Sequence, residues 1–321
     1  MVLLAVVGCT EAPDPPPGTE TKIGAPPGCG PVTYAEVRGR APSYGPKELG
    51  RFDNDRHLCA GVWAPGADRW LVPQGMAVGD DGTAYLAGFD GTKPARRRYC
   101  SVERVDLRTG RLVTRVDPVR GSVGGAPPII CRHGGGLVVD EHGVWLAETR
   151  RLWLLDPETL ETLRGWDLAE PVKGSFAVHG PDGGLGLGRF SKRTHGQVDW
   201  FDPGELLAPG KVLVTADDAM SAEWAPGRSQ GAVFAALDGR KAGLWFVRSH
   251  SACGVLIGPN RQRRGFIPGG ESMSLDADGR LWVASESGSR LYQRDGRPMT
   301  PQLARFEVSG LRDWAQPSCQ V

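Results

Sequence analysis

The sequence lacks an excess of charge of either sign, and it lacks a long apolar segment. Its 38 Lys and Arg residues nearly balance its 37 Asp and Glu residues, which gives a formal net charge of +1. No global electrostatic field therefore recruits nucleic acid, and we expect no nucleic-acid partner. No segment approaches the roughly 18 consecutive apolar residues that indicate a membrane-spanning helix.

Motifs of several common enzyme classes are missing as well. The chain has no G-x-S-x-G nucleophile elbow and no P-loop. The stretch GLGLG (184–188) resembles a dinucleotide-binding loop superficially, but it falls on a predicted strand and no helix follows. The six histidines are scattered without the spacing of metal ligands.

Cysteine is present but never as a C-x-x-C pair, which excludes a zinc ribbon and a thioredoxin-like motif. Besides Cys9, the cysteines are Cys29, Cys59, Cys100, Cys131, Cys253 and Cys319. An even number in an exported protein favours disulfides. Six cysteines allow fifteen full pairings, and the sequence does not choose between them.

The chain starts with MVLLAVVGC, an apolar run that ends in Val6-Val7-Gly8-Cys9. This run resembles the lipobox of bacterial lipoproteins, whose cysteine is lipidated and becomes the mature N-terminus. The resemblance implies that residues 1–9 are a truncated signal-like segment and that Cys9 is the lipidation site. No basic residue precedes the run, which a start codon assigned too late would explain. The alternative is a disordered apolar N-terminus with an incidental cysteine.

A Pro-rich polar stretch, TEAPDPPPGTETKIGAPPG, follows Cys9. We interpret residues 10–28 as a disordered tether between the lipidated cysteine and a folded domain that covers residues 29–321. The expected location is the bacterial cell envelope, outside the cytoplasmic membrane, with the N-terminal lipid as the membrane contact.

Glycine (46 residues) and proline (26 residues) are abundant, and they are interleaved with apolar runs. This pattern predicts many tight turns between short strands. One unit recurs: an alternating apolar run, a turn rich in Asp and Gly, and a second apolar run. It is seen in QGMAVGDDGTAYLAG (74–88), GGLVVDEHGVWLAET (135–149), GSFAVHGPDGGLGLG (174–188) and ESMSLDADGRLWVAS (271–285), and more loosely in DAMSAEWAPGRSQGAVFAAL (218–237).

Each copy is followed by a second hairpin, so the repeating unit predicts four antiparallel strands, which we name a to d. The copies are anchored at Met76, Leu137, Phe176, Met220 and Met273. Their mean spacing of about 49 residues is close to the period of propeller blades. Five blades are recognisable, and residues 29–73 have the right length for a divergent sixth. The sequence therefore predicts an all-β propeller of four-stranded antiparallel blades, six in number.

The D-G-x-L-W-V-A signature and its variants, from about residue 74 to 308, resemble the six-bladed β-propeller superfamily of the NHL-repeat and gluconolactonase-like kind. The resemblance implies blade architecture and says almost nothing about function. It also implies that Trp145, Trp153, Trp245 and Trp282 pack between blades.

In this architecture strand a lines a central channel and strand b runs back beside it. Residues just before a and just after b then emerge on one face, which we name the channel-mouth face and which commonly holds the binding site in propellers. Before strand a this face collects Gln74, His133, Lys173, Asp218 and Glu271, and after strand b it collects Asp90, Glu148, Arg189, Asp238 and Glu286. On the plainer interpretation His133 is a loop residue.

Basic clusters are predicted on the same face: KPARRR (93–98), RQRR (261–264), and Lys192 with Arg193. A basic rim would attract an anionic ligand, a glycan or a lipid headgroup. The alternative is that these are ordinary solvated loops.

Two functions are compatible with this pattern. The first, which we favour, is a monomeric binding module that contacts an anionic ligand, a glycan or a cell-envelope protein. The second is implied by the resemblance: a metal-dependent hydrolase whose divalent cation, Ca²⁺ or Mg²⁺, is held by Asp218, Glu271 and Glu286. The related lactonases also use Asn ligands, whereas this chain has just Asn54 and Asn260, neither at the start of a strand a.

Glu271 and Glu286 flank one predicted hairpin. A two-residue turn at Asp278-Gly279 would place them directly opposite each other at its open end. Facing like charges are unfavourable by about 0.2–1 kcal/mol. Protonation, a neighbouring arginine such as Arg290, or a bound cation would relieve this repulsion. The alternative is a frayed hairpin whose glutamates point apart into water.

Overall fold

A computed structural model describes residues 32–192 and 195–321. The predicted signal-like segment, the tether, Cys9, Cys29 and Arg193 lie outside these described residues. No helix in the described ranges is long and apolar enough to cross a membrane.

The described chain is built almost entirely from short strands. In chain order the first twelve are β1 (Leu58–Val62), β2 (Leu71–Val78), β3 (Thr83–Asp90), β4 (Cys100–Asp106), β5 (Arg111–Val116), β6 (Arg120–Gly121), β7 (Ile129–Ile130), β8 (Gly136–Asp140), β9 (Gly143–Glu148), β10 (Arg151–Leu155), β11 (Thr162–Leu168) and β12 (Phe176–His179). The others are β13 (Leu185–Arg189), β14 (Gly196–Phe201), β15 (Leu213–Val214), β16 (Ser221–Ala225), β17 (Ser229–Ala235), β18 (Gly243–His250), β19 (Cys253–Ile257), β20 (Arg263–Phe266), β21 (Gly270–Leu275), β22 (Leu281–Ser285) and β23 (Leu303–Phe306).

Helices are short and lie in the connections. They are α1 (Pro203–Leu206), α2 (Arg290–Gln293) and the 3₁₀ turns Tyr34–Glu36, Asp55–His57, Ala67–Arg69, Ala95–Arg97, Pro181–Gly183, Ala216–Asp218 and Leu311–Asp313. Asp202 caps α1 by accepting a hydrogen bond from the Gly204 amide (2.7 Å).

The strands form five blades arranged as a propeller. Blade 1 has the strand order β2-β3-β4-β5, blade 2 β8-β9-β10-β11 with β15 added in parallel at its edge, blade 3 β12-β13-β14-β16, blade 4 β17-β18-β19-β20 and blade 5 β21-β22-β23-β1. The innermost strands β2, β8, β12, β17 and β21 each contact the next, and β21 contacts β2, so the ring closes. The predicted all-β propeller is confirmed.

A sixth blade is not confirmed. Residues 58–62 form β1, the outermost strand of blade 5, where Val62 pairs with Leu303. Leu71, near the end of the predicted extra blade, already begins β2 of blade 1. The last repeat supplies three strands of its own, and β1 covers the edge of β23 that would otherwise carry unpaired backbone groups.

In the fourth repeat, the sequence pattern predicts the innermost strand one strand too early along the chain. Met220 was expected on an innermost strand, but it precedes β16, the outermost strand of blade 3, and it is 61% exposed. The innermost strand of blade 4 is β17 instead. The reason is the long connection from β14, which contains α1 and β15 and delays the outer strand of blade 3.

The buried tryptophans pack between blades, as the sequence predicts. Trp145 of blade 2 packs in one core cluster with Leu187 of blade 3, and Trp282 of blade 5 packs with Met76 of blade 1. The indole of Trp282 also donates to the turn residue Asp276 (3.0 Å). The indole of Trp145 donates to the turn residue Asp140 in the same way (2.7 Å), so in these two blades the turn aspartate also holds the tryptophan.

Disulfides are present in the described residues, as expected. Cys100 is bonded to Cys131, and Cys253 is bonded to Cys319. Cys59 is in a disulfide as well. The Cys253–Cys319 bond fixes the C-terminal segment to β19 of blade 4.

Candidate functional site

A cavity of about 430 Å³ lies where the innermost strands begin. Every blade contributes to its wall. The lining residues are Gln74, Phe89, Arg98, His133, Gly135, Thr149, Lys173, Ser175, Phe190, Ser229, Gln230, Glu271, Glu286 and Tyr292. We name it the mouth cavity. A separate cavity of about 660 Å³ lies at the opposite end of the channel, among the turns that join strands a and b.

Five predicted residues are brought together in the mouth cavity: Gln74, His133, Lys173, Glu271 and Glu286. They lie on four different blades or in the segments that lead into them. They meet in one cavity because the ring of innermost strands closes. These five residues, which lie near the start of strand a or just after strand b, therefore emerge on one face of the ring.

Three other predicted residues end a strand b but do not line the cavity. Glu148 ends β9 and accepts hydrogen bonds from the Arg132 amide and the Trp153 indole, both at 3.1 Å. Asp90 ends β3 and accepts from Thr92. Arg189 ends β13, and the next residue, Phe190, reaches the cavity instead.

Asp218 and Asp238 lie elsewhere, because the fourth repeat is shifted. Asp218 lies in a 3₁₀ turn before the outer strand β16, where its ion pair with Lys211 lowers the pKa of the Asp218 carboxyl. Asp238 lies in the connection between β17 and β18 and accepts a hydrogen bond from Gln262 (3.2 Å). Both are corrections to the predicted channel-mouth face.

The basic clusters divide in the same way. KPARRR joins β3 to β4, and Arg98 from this cluster reaches the mouth cavity. RQRR joins β19 to β20, and its Gln262 bonds to Asp238 in an a-to-b turn. The RQRR cluster therefore lies at the opposite end of the channel, which corrects its predicted place. Lys192 follows β13 without lining the cavity.

Glu271 is a buried carboxyl that opens into the mouth cavity. Its Oε1 accepts hydrogen bonds from Gln230 Nε2 (3.1 Å) and Ser249 Oγ (3.4 Å). Burial raises the pKa of Glu271 well above its ordinary value, and the nearby charge of Glu286 raises it further. At neutral pH the cavity therefore holds a carboxyl that keeps its proton more readily than a surface glutamate does.

Glu286 is the second buried carboxyl of the cavity. Its Oε2 accepts a hydrogen bond from Gln74 Nε2 (3.1 Å), and the Tyr292 hydroxyl also bonds to it. Burial raises the pKa of Glu286 to about 7, against the opposing effects of these bonds and of the Arg98 charge. Burial and the neighbouring glutamates also raise the pKa of Tyr292.

The two glutamates meet without the predicted cross-strand pairing. Met273 pairs with Val283 and Leu275 with Leu281, and the register shifts between Gly270 and Ser272. This shift leaves Glu271 in a bulge, opposite no residue of β22. The turn is longer than the predicted two residues, with Gly279 at φ +74°. A bulge next to a functional site is a common way to redirect a side chain.

One wall of the mouth cavity is formed by Arg98, Phe89 and His133 stacked on one another. The Arg98 guanidinium lies 3.9 Å from the Phe89 ring centroid, and the His133 ring stacks on Phe89 with centroids 5.7 Å apart. Burial and the Arg98 charge lower the pKa of His133, so the imidazole is neutral at physiological pH. Its buried Nδ1 has no hydrogen-bond partner among the described residues.

Sequence reasoning missed several lining residues. Gln230 was missed because the fourth repeat was shifted; the correct alignment places it at the start of strand a, on β17. Tyr292 lies on α2, in a connection that the repeat pattern does not mark. Arg290, a proposed neutraliser of the glutamates, instead lies over Trp70 at 4.7 Å.

The predicted metal ligands do not fit a three-carboxylate site. Glu271 and Glu286 share the cavity, but Asp218 is elsewhere, and residues 32–192 and 195–321 contain no cluster of three or more His, Cys, Asp or Glu that could hold a metal. Asn54 is buried and bonds to the Gly265 and Ala315 carbonyl oxygens. We therefore derive no catalytic step through a metal.

No protein-family model and no curated protein matches the chain. Solved structures resemble it at low identity. The calcium-binding protein regucalcin from Agrobacterium tumefaciens is 13% identical with a TM-score of 0.41, and the match covers 74% of this chain and 90% of that one.

Two further structures are similar to this chain. The PQQ-bound aldose sugar dehydrogenase from Streptomyces coelicolor is 10% identical with a TM-score of 0.40, covering 78% of this chain and 96% of that one. A luciferin-regenerating enzyme is 10% identical with a TM-score of 0.37, covering 74% and 73%. At these values the likeness carries no argument about function.

Proposed function

We propose that the protein is an exported propeller that binds a small molecule in the mouth cavity. The observation that carries the proposal is the pair of buried carboxyls, Glu271 and Glu286, opening into one cavity of about 430 Å³. Buried carboxyls with raised pKa values in a concave pocket are typical of binding and catalytic sites. The cavity also offers aromatic surface at Phe190 and Tyr292.

The cavity is built to hold its polar groups in fixed positions. Gln230 and Gln74 each donate to one glutamate, and both glutamines lie on innermost strands, β17 and β2. Side chains locked on strands by hydrogen bonds need little reordering when a ligand binds. This preorganisation supports a binding role.

The proposed location is the bacterial cell envelope, with the chain anchored by a lipid on Cys9. The two disulfides in the described residues support an oxidising compartment. On the basic rim around the mouth cavity, separate from the small molecule inside it, a glycan, an anionic ligand or a cell-envelope protein remains the proposed partner. The proposed state is a monomer.

A pair of matched variants tests the mouth cavity. Ser175 lines it, whereas His179, at the far end of β12, lines the cavity at the opposite mouth. We expect a ligand found by thermal shift, from a panel of sugars, amines, amino acids and organic acids, to stabilise the wild type and His179→Trp. The same ligand should not stabilise Ser175→Trp, whose indole fills the mouth cavity.

Binding that survives Ser175→Trp but not His179→Trp would overturn the proposed site. Hydrolysis of an ester or lactone that depends on added Ca²⁺ or Mg²⁺ and is lost in Ser175→Trp would overturn the binding role in favour of the hydrolase.

A further inference from the structure

The buried glutamates of this protein differ in how their charge is balanced. They are Glu103, Glu148, Glu271 and Glu286. Two of them belong to blade interiors and have an arginine partner: Arg115 forms an ion pair with Glu103, and Arg151 Nη1 lies 3.6 Å from Glu148 Oε1. Burial of a carboxylate is costly unless such a partner is present.

Glu271 and Glu286, the two glutamates of the mouth cavity, have no ion-pair partner within the described ranges. All of their hydrogen-bond donors are uncharged: Gln230 and Ser249 for Glu271, and Gln74 and Tyr292 for Glu286. The site thus brings two buried carboxyls together, and the described chain places no cation in contact with them.

The nearby cationic side chains are held by other groups. Arg98 lowers the pKa of Glu286 from a distance, but its guanidinium lies over the Phe89 ring. Lys173 Nζ lies 3.2 Å from Glu170 Oε1. A positive charge in contact with Glu271 and Glu286 therefore has to come from a ligand.

The surroundings favour an organic cation over a bare metal ion. Calcium takes six to eight oxygen ligands, whereas this site offers two carboxyls, and one oxygen of each already accepts from an amide N–H group. A volume of about 430 Å³ is in the range of organic ligands. The rings of Phe190 and Tyr292 in the wall suit a cation that carries apolar groups.

Resting on the proposed function, we infer that the ligand is an organic ammonium compound whose cationic nitrogen binds between Glu271 and Glu286. The ammonium group replaces the proton that the pair otherwise holds. Binding should therefore release a proton into solution near neutral pH and weaken as the pair protonates. The other groups that face the pair are Arg98, His133, Lys173 and Tyr292, and none of them is a carboxylate that would bind the ammonium group instead.

Calorimetry on the full chain tests the inference with butylamine, phenethylamine and choline. Their uncharged analogues are butanol, 2-phenylethanol and 3,3-dimethylbutan-1-ol, in that order. We expect at least one ammonium compound to bind at pH 8 about tenfold or more tighter than its analogue. Its affinity should fall at pH 5.5, and its binding heat should vary with the ionisation enthalpy of the buffer. Glu271→Gln with Glu286→Gln should lose binding about tenfold or more, while Glu141→Gln at the opposite mouth should not.

Three results would overturn the inference: no binding of any ammonium compound at about 10 mM, equal binding of amines and analogues, or full binding by the double glutamine variant. Stabilisation of the wild type by Ca²⁺ or Mg²⁺, lost in that variant, would assign the pair to a metal instead. Binding of sugars or organic acids blocked by Ser175→Trp would leave the proposed function standing while the inference fails. A melting curve of the double variant at each pH establishes that it is folded.

Discussion

The charge of Glu286 raises the pKa of Glu271, although the two residues are not partners across the hairpin between them. The bulge at Glu271 turns its side chain into the mouth cavity, and Glu286 reaches the same cavity from just after β22. The repulsion between them is thus a property of the folded ring and disappears when the chain unfolds.

The first prediction is that Glu286 makes the protein less stable as pH rises through neutrality. The pKa of Glu286 is about 7 in the folded state against an ordinary 4.5, so the folded chain binds this proton more tightly than the unfolded chain. Its stabilising contribution is complete below about pH 4.5 and is lost as pH rises through 7. Between pH 5 and 8 this effect should lower the free energy of unfolding of the wild type by an amount on the order of 2 kcal/mol. Glu286→Gln should not show that decrease.

Urea unfolding at pH 5, 6, 7 and 8 measures this difference. Glu141→Gln, an exposed glutamate at the other mouth, is the control and should keep the wild-type pH dependence. If the free energy of unfolding changes with pH equally in the wild type and in Glu286→Gln, Glu286 is not buried as described.

The local features of the fold could be predicted from the sequence. Alternating apolar runs on both sides of Asp-Gly turns specify the a and b strands, because side-chain period and turn chemistry are encoded within a few residues. The buried tryptophans follow from the same pattern, and so do five residues of the mouth cavity.

The remaining features depend on contacts that are distant along the chain. β1 joins β23 across the whole sequence, so no local pattern distinguishes it from the start of a separate blade. Asp278-Gly279 is compatible with a two-residue turn and with a longer one that has Gly279 in the left-handed region, and the structure has the longer one, with Leu275 opposite Leu281. That choice moves Glu271 out of register with Glu286.

The second prediction concerns the disulfides. Peptide mapping of the oxidised, exported protein without reduction should recover the peptide of Cys100 joined to that of Cys131, and Cys253 joined to Cys319. Replacing Cys253 and Cys319 by Ser should lower stability by about 2–4 kcal/mol, because the bond closes a long loop in the unfolded chain. Recovery of four or more alkylated thiols would contradict a disulfide framework.

The third prediction concerns the membrane anchor. Expressed behind a complete lipoprotein signal peptide, the protein should partition into the detergent phase after Triton X-114 separation, because a lipid on Cys9 supplies the apolar anchor. Cys9→Ser should move it to the aqueous phase. Cys59→Ser is the control for a cysteine substitution inside the propeller, and it should stay in the detergent phase. If Cys9→Ser also stays in the detergent phase, Cys9 is not the lipidation site.

The last prediction tests how the ring closes. Val62 on β1 is fully buried against blade 1 and blade 5 residues, in one cluster with Met76 and Leu303. Val113 on β5, the outermost strand of the neighbouring blade, is 51% exposed. Val62→Ala should cost about 2–3 kcal/mol of unfolding free energy, because two buried methyl groups are lost and a void remains.

Val113→Ala should change that free energy by less than about 0.5 kcal/mol, because the side chain is already in contact with water. Chemical unfolding of both variants under the same conditions gives the comparison. If the two substitutions cost the same, Val62 is not buried between blades 1 and 5, and the pairing of β1 with β23 as the closure of blade 5 would be wrong.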